Sequence, residues 1–205
     1  MRHLEPDQIG RGYDELADLW RHDRYSAEYG MAALERAIAF LDAGGAALDV
    51  GCGASGRFVQ RMLDQPLQVE GVDVSSKMLE LARQRHPDVT FHQADVCSWP
   101  LPMRYRLITA WDSIWHVPLD AHAALLTKLM DGLDEGGVLL FTMGGLDAPE
   151  EKTDANMGPT MYYSTLGISL AMRTIAEAGG VLRHLEFDQH PEPHLVVIAQ
   201  KRVAP

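Results

Sequence analysis

The 205-residue sequence predicts one α/β domain, with seven mostly parallel strands layered between helices and an antiparallel hairpin at the carboxyl end. Three observations predict it. Short apolar runs alternate with stretches of helical period from residue 46 to residue 141. A glycine-rich turn joins the first run to the helix that follows it. The last two runs, 181–187 and 194–200, are separated only by residues 188–193, too few for a crossover helix, so they must pair antiparallel.

In chain order, residues 1–43 read as a helical cap, with Tyr13, Leu16 and Trp20 on one apolar face and Leu34, Ile38 and Leu41 recurring at helical spacing. After Gly44 and Gly45 the period shortens, and 44–205 reads as the core of a single domain spanning 1–205. A strand over 46–50, a helix holding Phe58 and Met62, and a strand over 67–73 come first. Ser75 or Ser76 is placed to cap the next helix by accepting an orphan N–H, and Met78, Leu81 and Ala82 share one face of it. Strands over 89–91 and 105–111 follow, then a helix over 121–133 carrying Leu125, Leu126, Leu129 and Met130, then a strand over 138–141. Residues 144–163 read as a long irregular connection, of a length common in lids. A helix over 165–178, stopped by Gly179 and Gly180, leads into the hairpin.

Composition excludes several classes of function. With 46% hydrophobic and 23% charged residues the chain is that of a globular protein. The formal charge of -11 is spread evenly, with 10 basic and 16 acidic residues in 1–102 and 8 and 13 in 103–205, so a phosphate backbone would be repelled and no nucleic-acid partner is expected. No stretch approaches the roughly 20 apolar residues of a membrane span, and the first residues lack the apolar run of a signal peptide. A cytoplasmic protein without membrane partners is expected. Two cysteines, Cys52 and Cys97, are too few for a disulfide scaffold and suit a reducing compartment.

The sharpest local signal is Leu48-Asp49-Val50-Gly51-Cys52-Gly53-Ala54-Ser55-Gly56-Arg57. Gly51, Gly53 and Gly56 match G-x-G-x-x-G, and Asp73 lies about 20 residues on, as in a dinucleotide-binding fingerprint. An NAD(P)-dependent oxidoreductase is therefore one reading, and a glycine turn serving geometry alone is another. Asp49 argues against the first, because a carboxylate two residues before the first glycine would repel a pyrophosphate across a few ångströms. It suits a ligand with a cationic group.

The run 48–53 resembles motif I of the class I S-adenosylmethionine-dependent methyltransferases, a Rossmann-like family of three-layer sandwiches, and the likeness extends over residues 34–201. The resemblance implies S-adenosyl-L-methionine as cofactor. It assigns Asp73, in Gly71-Val72-Asp73-Val74-Ser75, to the ribose hydroxyls, and Asp95, in Gln93-Ala94-Asp95-Val96, to the adenine amine, with the Val96 N–H reaching the ring. The full set of cofactor contacts implied is Tyr13, Trp20, Asp49, Gly51, Cys52, Gly53, Gly56, Asp73, Val74, Met78, Asp95, Val96 and Trp111. Arg21 and Arg24 share the amino-terminal segment as further candidates for the methionine carboxylate. Each acid also has a structural reading: Asp49 satisfied by nearby N–H groups, Asp73 capping the helix after Ser75, Asp95 as a turn residue, with Cys52 a small buried filler.

By the same resemblance the segment 109–118 faces the methyl acceptor. Asp112 and His116 are its acid–base candidates, Trp111 and Trp115 offer aromatic faces, and Tyr163, with Tyr162, closes the acceptor side. Asp112 has a second reading at the methionine end of the cofactor, His116 as a helix cap, and Trp115 as core. His184, Asp188, His190 and His194 do not follow a metal-ligand spacing, so no metal is expected; they read as a polar hairpin end facing the site, while His3, His22, His86 and His122 read as surface residues. An Asp/Asn-Pro-Pro-aromatic run, a Pro-Cys pair and additional thiols are absent, which sets aside nucleic-acid bases and arsenic as acceptors. The sequence thus points to in-line methyl transfer onto a nitrogen or oxygen of a small molecule, against the alternatives of an NAD(P)-dependent oxidoreductase or a non-catalytic S-adenosylmethionine-binding module, and it is silent on oligomeric state.

Overall fold

A computed structural model describes residues 3–21, 26–54 and 56–203. Its elements are α1 (Pro6–Arg21), α2 (Met31–Ile38), β1 (Gly45–Val50), α3 (Arg57–Leu63), β2 (Leu67–Asp73), α4 (Ser76–Arg85), β3 (Thr90–Gln93), β4 (Tyr105–Ala110), α5 (His122–Asp131), β5 (Leu133–Gly144), β6 (Glu150–Asp154), β7 (Met161–Thr165), α6 (Ile168–Glu177), β8 (Gly180–Phe187) and β9 (His194–Lys201). Seven strands form one sheet in the order β3-β2-β1-β4-β5-β9-β8. Strands β1 to β5 run parallel, and β9 lies antiparallel between β5 and β8, as the six-residue connection requires.

Both faces of the sheet are covered, which explains why its central strands are continuously apolar. The strand period of two sends alternate side chains to opposite layers. Leu48 and Val50 of β1, Ile108 of β4, Leu139 and Phe141 of β5 and Val197 of β9 join Leu125, Leu129 and Ile175 of α5 and α6. Ala47, Leu107, Leu140, Val196 and Ile198 of the same strands join Leu34, Phe58, Met62 and Leu79 of α2, α3 and α4. Ser75 is the residue that caps α4, its Oγ accepting the Met78 N–H at 3.1 Å. Among the described residues no helix is long and apolar enough to cross a membrane.

Several expectations change. Residues 144–163 are not irregular: they hold β6 and most of β7, a separate two-stranded antiparallel sheet in which Lys152 pairs with Tyr163. The charged β6 strand, Glu150–Asp154, has no apolar alternation to announce it, because only β7 faces the interior. Leu41 lies beyond the end of α2. Strand β5 begins at Leu133, well before the apolar run, because Leu133 pairs with Tyr105 ahead of an irregular step at which Gly136 takes φ 73°. His122 is buried, not superficial, its Nε2 sharing a 2.8 Å hydrogen bond with Ser164 Oγ. His86 is half-buried against Gly56, and His3 lies beside Glu5; His22 falls outside the described residues.

Candidate functional site

Strand order reverses between β1 and β4, and at such a switch point the loops leaving the carboxyl ends of neighbouring strands diverge and open a crevice. Here the crevice is a cavity of about 400 Å³, floored by the tips of β1 to β4 and walled by α1. Its first wall is the glycine loop. Gly51 turns at φ 65°, and a Cβ there would lie 2.2 Å from Ser113 Cβ, so the loop reaches the β4 segment only because the side chain is missing. Gly53, at φ 55°, lines the cavity and would project a Cβ into open space.

Three carboxylates stand at successive strand tips, and all three line the cavity. Asp49 is 6% exposed, with its Oδ1 accepting the Thr109 hydroxyl at 2.6 Å; burial, only partly offset by that bond and by the Arg57 charge, pushes its carboxyl up to about 6. Asp73 Oδ2 accepts the Gly53 N–H at 2.9 Å and Oδ1 the Ser75 N–H at 2.8 Å, tying the glycine loop to the start of α4. Burial raises its carboxyl above the usual value although these N–H groups pull the other way. Asp95 closes a turn, Oδ1 accepting the Cys97 N–H at 3.0 Å and Oδ2 the Ser98 hydroxyl at 2.9 Å. The turn reading of Asp95 therefore holds together with its position at the cavity, whereas α4 is capped by Ser75 and not by Asp73; a carboxylate has about four lone-pair sites, and in both acids these hydrogen bonds take only part of them.

Opposite these acids, the segment after β4 turns back sharply at Asp112, the non-glycine residue with positive φ (52°) among those described. Asp112 Oδ2 accepts the Tyr29 hydroxyl at 2.8 Å, and Oδ1 faces Thr142 Oγ1 at 3.2 Å and His194 Nε2 at 2.9 Å. His116 does not cap a helix: its Nδ1 faces the Tyr162 carbonyl at 2.7 Å and so carries the proton, leaving the one lone pair of Nε2 shared between the Tyr13 hydroxyl at 2.8 Å and the Trp115 indole at 3.1 Å. Burial pushes the ring down to about 4, so it is neutral.

Of the residues expected at the cofactor, Tyr13, Trp20, Asp49, Gly51, Cys52, Gly53, Asp73, Val74, Met78, Asp95, Val96 and Trp111 all line the cavity, as do Asp112, Trp115, His116 and Tyr163 of the acceptor set. Gly56 does not: it turns at φ 66° to begin α3, with His86 packed where its side chain would be. Tyr162 is fully buried behind the wall, its hydroxyl donating to Glu151 at 2.7 Å, so Tyr163 alone of that pair faces the cavity. The side chain of Arg21 and all of Arg24 lie outside the described residues. At the hairpin end, His194 and Gln189 line the cavity, whereas His184 pairs with Arg36 and Glu186. His194 bears out the expectation of a polar hairpin end facing the site, whereas Tyr29, Arg57 and Gln189 are polar wall residues that sequence reasoning left out. Tyr29 carried no motif, and His194 lies 82 residues from the Asp112 it meets.

Residues 47–137 match the family model described as a methyltransferase domain. The chain is 38% identical over 104 residues to trans-aconitate 2-methyltransferase of Afipia carboxidovorans, an alignment covering 49% of this chain and 40% of that protein. It is 28% identical over 175 residues to the 27-O-demethylrifamycin SV methyltransferase of Amycolatopsis mediterranei, covering 72% of this chain and 64% of that one. The chain thus spans less than half the length of the trans-aconitate relative and under two thirds of the other. Among solved structures, the magnesium protoporphyrin IX methyltransferase of Synechocystis, determined with bound S-adenosylmethionine, superposes with a TM-score of 0.72 at 16% identity, covering 98% of this chain and 99% of that one. Matched segment and fold point to one class: residues 47–137 match a methyltransferase domain, and the fold is that of solved S-adenosylmethionine-dependent methyltransferases. Its Rossmann-like sheet, with the antiparallel strand pair at the carboxyl end, is the sheet of that class.

Proposed function

We propose that this protein is an S-adenosylmethionine-dependent methyltransferase of a small-molecule acceptor, built as one domain in which residues 1–43 cap the cavity, and working in a reducing cytoplasmic compartment. One observation carries the reading: Asp49, Asp73 and Asp95 converge on a single cavity beside a glycine loop in which Gly53 has open space where a side chain would stand. The residues fit the cofactor. Asp73 keeps lone pairs for a vicinal diol, Asp95 for an exocyclic amine, and the costly burial of Asp49 is explained by a cation brought to it. Val74, Met78, Val96 and Trp111 supply apolar walls, Tyr13, Trp20, Gly51 and Cys52 complete the enclosure, and Gly56 serves by turning the chain into α3. When bound, S-adenosylmethionine supplies an electrophilic methyl group on a sulfonium for in-line displacement by a nitrogen or oxygen nucleophile.

Asp112, His116 and Tyr163 face the acceptor. The neutral His116 ring holds the Tyr13 hydroxyl, and the Tyr163 ring packs on it with centroids 4.9 Å apart. A base held near 4 is a weak one, so it suits acceptors that arrive deprotonated or shed a proton after attack; alignment by the walls then supplies most of the acceleration. The trans-aconitate relatives, though similar over only part of their length, support a small carboxylic acid among the candidate acceptors. A dinucleotide oxidoreductase is disfavoured by Asp49 under the loop.

The test has two arms. S-adenosylhomocysteine and NAD are compared for their effect on the melting temperature, and methyl-labelled S-adenosylmethionine is supplied with a mixture of small carboxylic acids, trans-aconitate included, and small amines. Stabilisation by S-adenosylhomocysteine and a labelled product are expected. Stabilisation by NAD alone overturns the reading, and binding without any product leaves a non-catalytic cofactor-binding module.

A further inference from the structure

Both ring nitrogens of His194 face carboxylates. Nε2 lies 2.9 Å from Asp112 Oδ1 and Nδ1 lies 2.5 Å from Asp188 Oδ1. A carboxylate only accepts hydrogen bonds, and a neutral imidazole has one donor and one acceptor nitrogen, so two such contacts are satisfied together only when both nitrogens carry protons. The ring is 8% exposed and enclosed by Trp111, Trp115 and Tyr29, with centroids 5.5, 5.9 and 6.5 Å away. Burial by itself disfavours the charge, but the two carboxylates outweigh it and hold the ring's pKa above the ordinary histidine value.

The contacts continue on both sides. Asp188 begins the connection between β8 and β9; its neighbour Gln189 donates from Nε2 to the Tyr29 hydroxyl at 3.0 Å, and that hydroxyl donates to Asp112 Oδ2. Gln189, Tyr29, Asp112, His194 and Asp188 thus form a closed circuit joining the segment before α2, the turn after β4, the start of β9 and the β8–β9 connection. Around it stand the Arg57 guanidinium, 5.2 Å from the Tyr29 ring centre, and the neutral His116, reached through the Trp115 indole. Asp112 needs this support, because its positive φ is a conformation a non-glycine residue keeps only when its surroundings hold it.

We propose that His194, as a fixed imidazolium, is a positioning residue for methyl transfer: it holds Asp112 oriented at the acceptor end of the cavity and, through Asp188, clamps the β8–β9 connection so that Gln189 and Tyr29 complete the acceptor wall. The proposal rests on the methyltransferase reading above. It makes Asp112 a charged wall group whose Oδ1 is taken by Thr142 and His194 and whose Oδ2 keeps a lone pair beside the Tyr29 hydroxyl, so that it orients the acceptor and does not remove its proton. His194 likewise spends both N–H groups on carboxylates and is neither base nor metal ligand.

The test is nitrogen-15 spectroscopy of the histidine rings in the full chain, with His194→Gln used to assign the signal. Both ring nitrogens of His194 are expected to be protonated at pH 7.5, and Asp188→Asn and Asp112→Asn are each expected to lower its titration midpoint by a pH unit or more. One unprotonated nitrogen at pH 7.5, or a midpoint unmoved in both variants, overturns the proposal. With the acceptor mixture of the preceding experiment, His194→Gln and Asp188→Asn are expected to slow methyl transfer at least tenfold while leaving S-adenosylhomocysteine affinity within threefold. Folded variants that turn over like the wild type refute a positioning role. Should the wild type bind no S-adenosylhomocysteine or form no product, the functional reading fails instead, and the ring measurement still decides whether His194 is a fixed cation.

Discussion

Asp49→Asn isolates the energetic cost of the site. The folded-state carboxyl is raised to about 6 from the ordinary 3.8, mainly by burial at 6% exposure. Over the window from about pH 4 to about pH 6 the folded chain therefore keeps a proton that the unfolded chain has lost, so this group's contribution to stability falls as pH rises through the window and is flat above it. A shift of about two units corresponds to about 3 kcal/mol at neutral pH. The amide has no charge to bury and keeps an oxygen for the Thr109 hydroxyl. At pH 7.5 the ligand-free variant should be more stable than the wild type by up to about 3 kcal/mol, or about 6–12 °C in melting temperature for a chain this size. The advantage should vanish at pH 4, where Asp49 is protonated. Urea unfolding of both proteins at half-unit steps of pH measures it, and taking the difference removes the buried histidines, which titrate alike in both. The same variant should bind S-adenosylmethionine more weakly, as expected where a destabilising group is kept for function. A stability difference that does not change with pH, or a less stable variant at pH 7.5, refutes the reasoning.

Other outcomes follow from the same geometry. Asp73→Asn removes a charged acceptor from the expected ribose site and should raise the Kd for S-adenosylhomocysteine about 10- to 150-fold, the equivalent of about 1.5–3 kcal/mol, by calorimetry; an affinity within twofold of the wild type in a folded variant contradicts the assignment. Gly53→Ala meets no atom within 4 Å and should cost about 1 kcal/mol of stability through its positive φ while blocking the cavity, whereas Gly51→Ala collides with Ser113 and should lower the melting temperature much further. Equal losses would contradict the picture of one glycine facing the ligand and the other the protein. His122, pushed down to about 4 by burial, is neutral when folded, so its contribution is complete above pH 6.5 and lost as pH falls towards 4, where the unfolded chain takes up the proton. His122→Gln should flatten the acid side of the stability profile by about one proton, and an unchanged slope would count against its burial.

The glycine loop, the alternating strands and helices and the six-residue hairpin were legible because each depends on neighbours in sequence. A turn needs Gly51 and Gly53, a buried parallel strand needs an unbroken apolar run, and 188–193 is too short for a crossover. The β6–β7 pair was not legible, because Glu150–Asp154 is an exposed charged strand whose pairing with Met161–Thr165 is the only sign that it is a strand. His122 read as superficial because its burial comes from Ser164, 42 residues away.

Local chemistry therefore determined the class of sheet, the loop under it and the acids at the strand tips, since backbone conformation and side-chain period are properties of short segments. The sequence pointed Asp112 and the polar hairpin end with Asp188 and His194 towards the site, and tertiary structure decided how they pair with one another and with Tyr29 and Gln189. Tyr29, Asp112, Asp188, Gln189 and His194 come from four separate parts of the chain, and the protonation of His194 depends on carboxylates that approach it only when β9 inserts between β5 and β8. Electrostatic partners are set by distance in space, and no spacing along the chain encodes that distance.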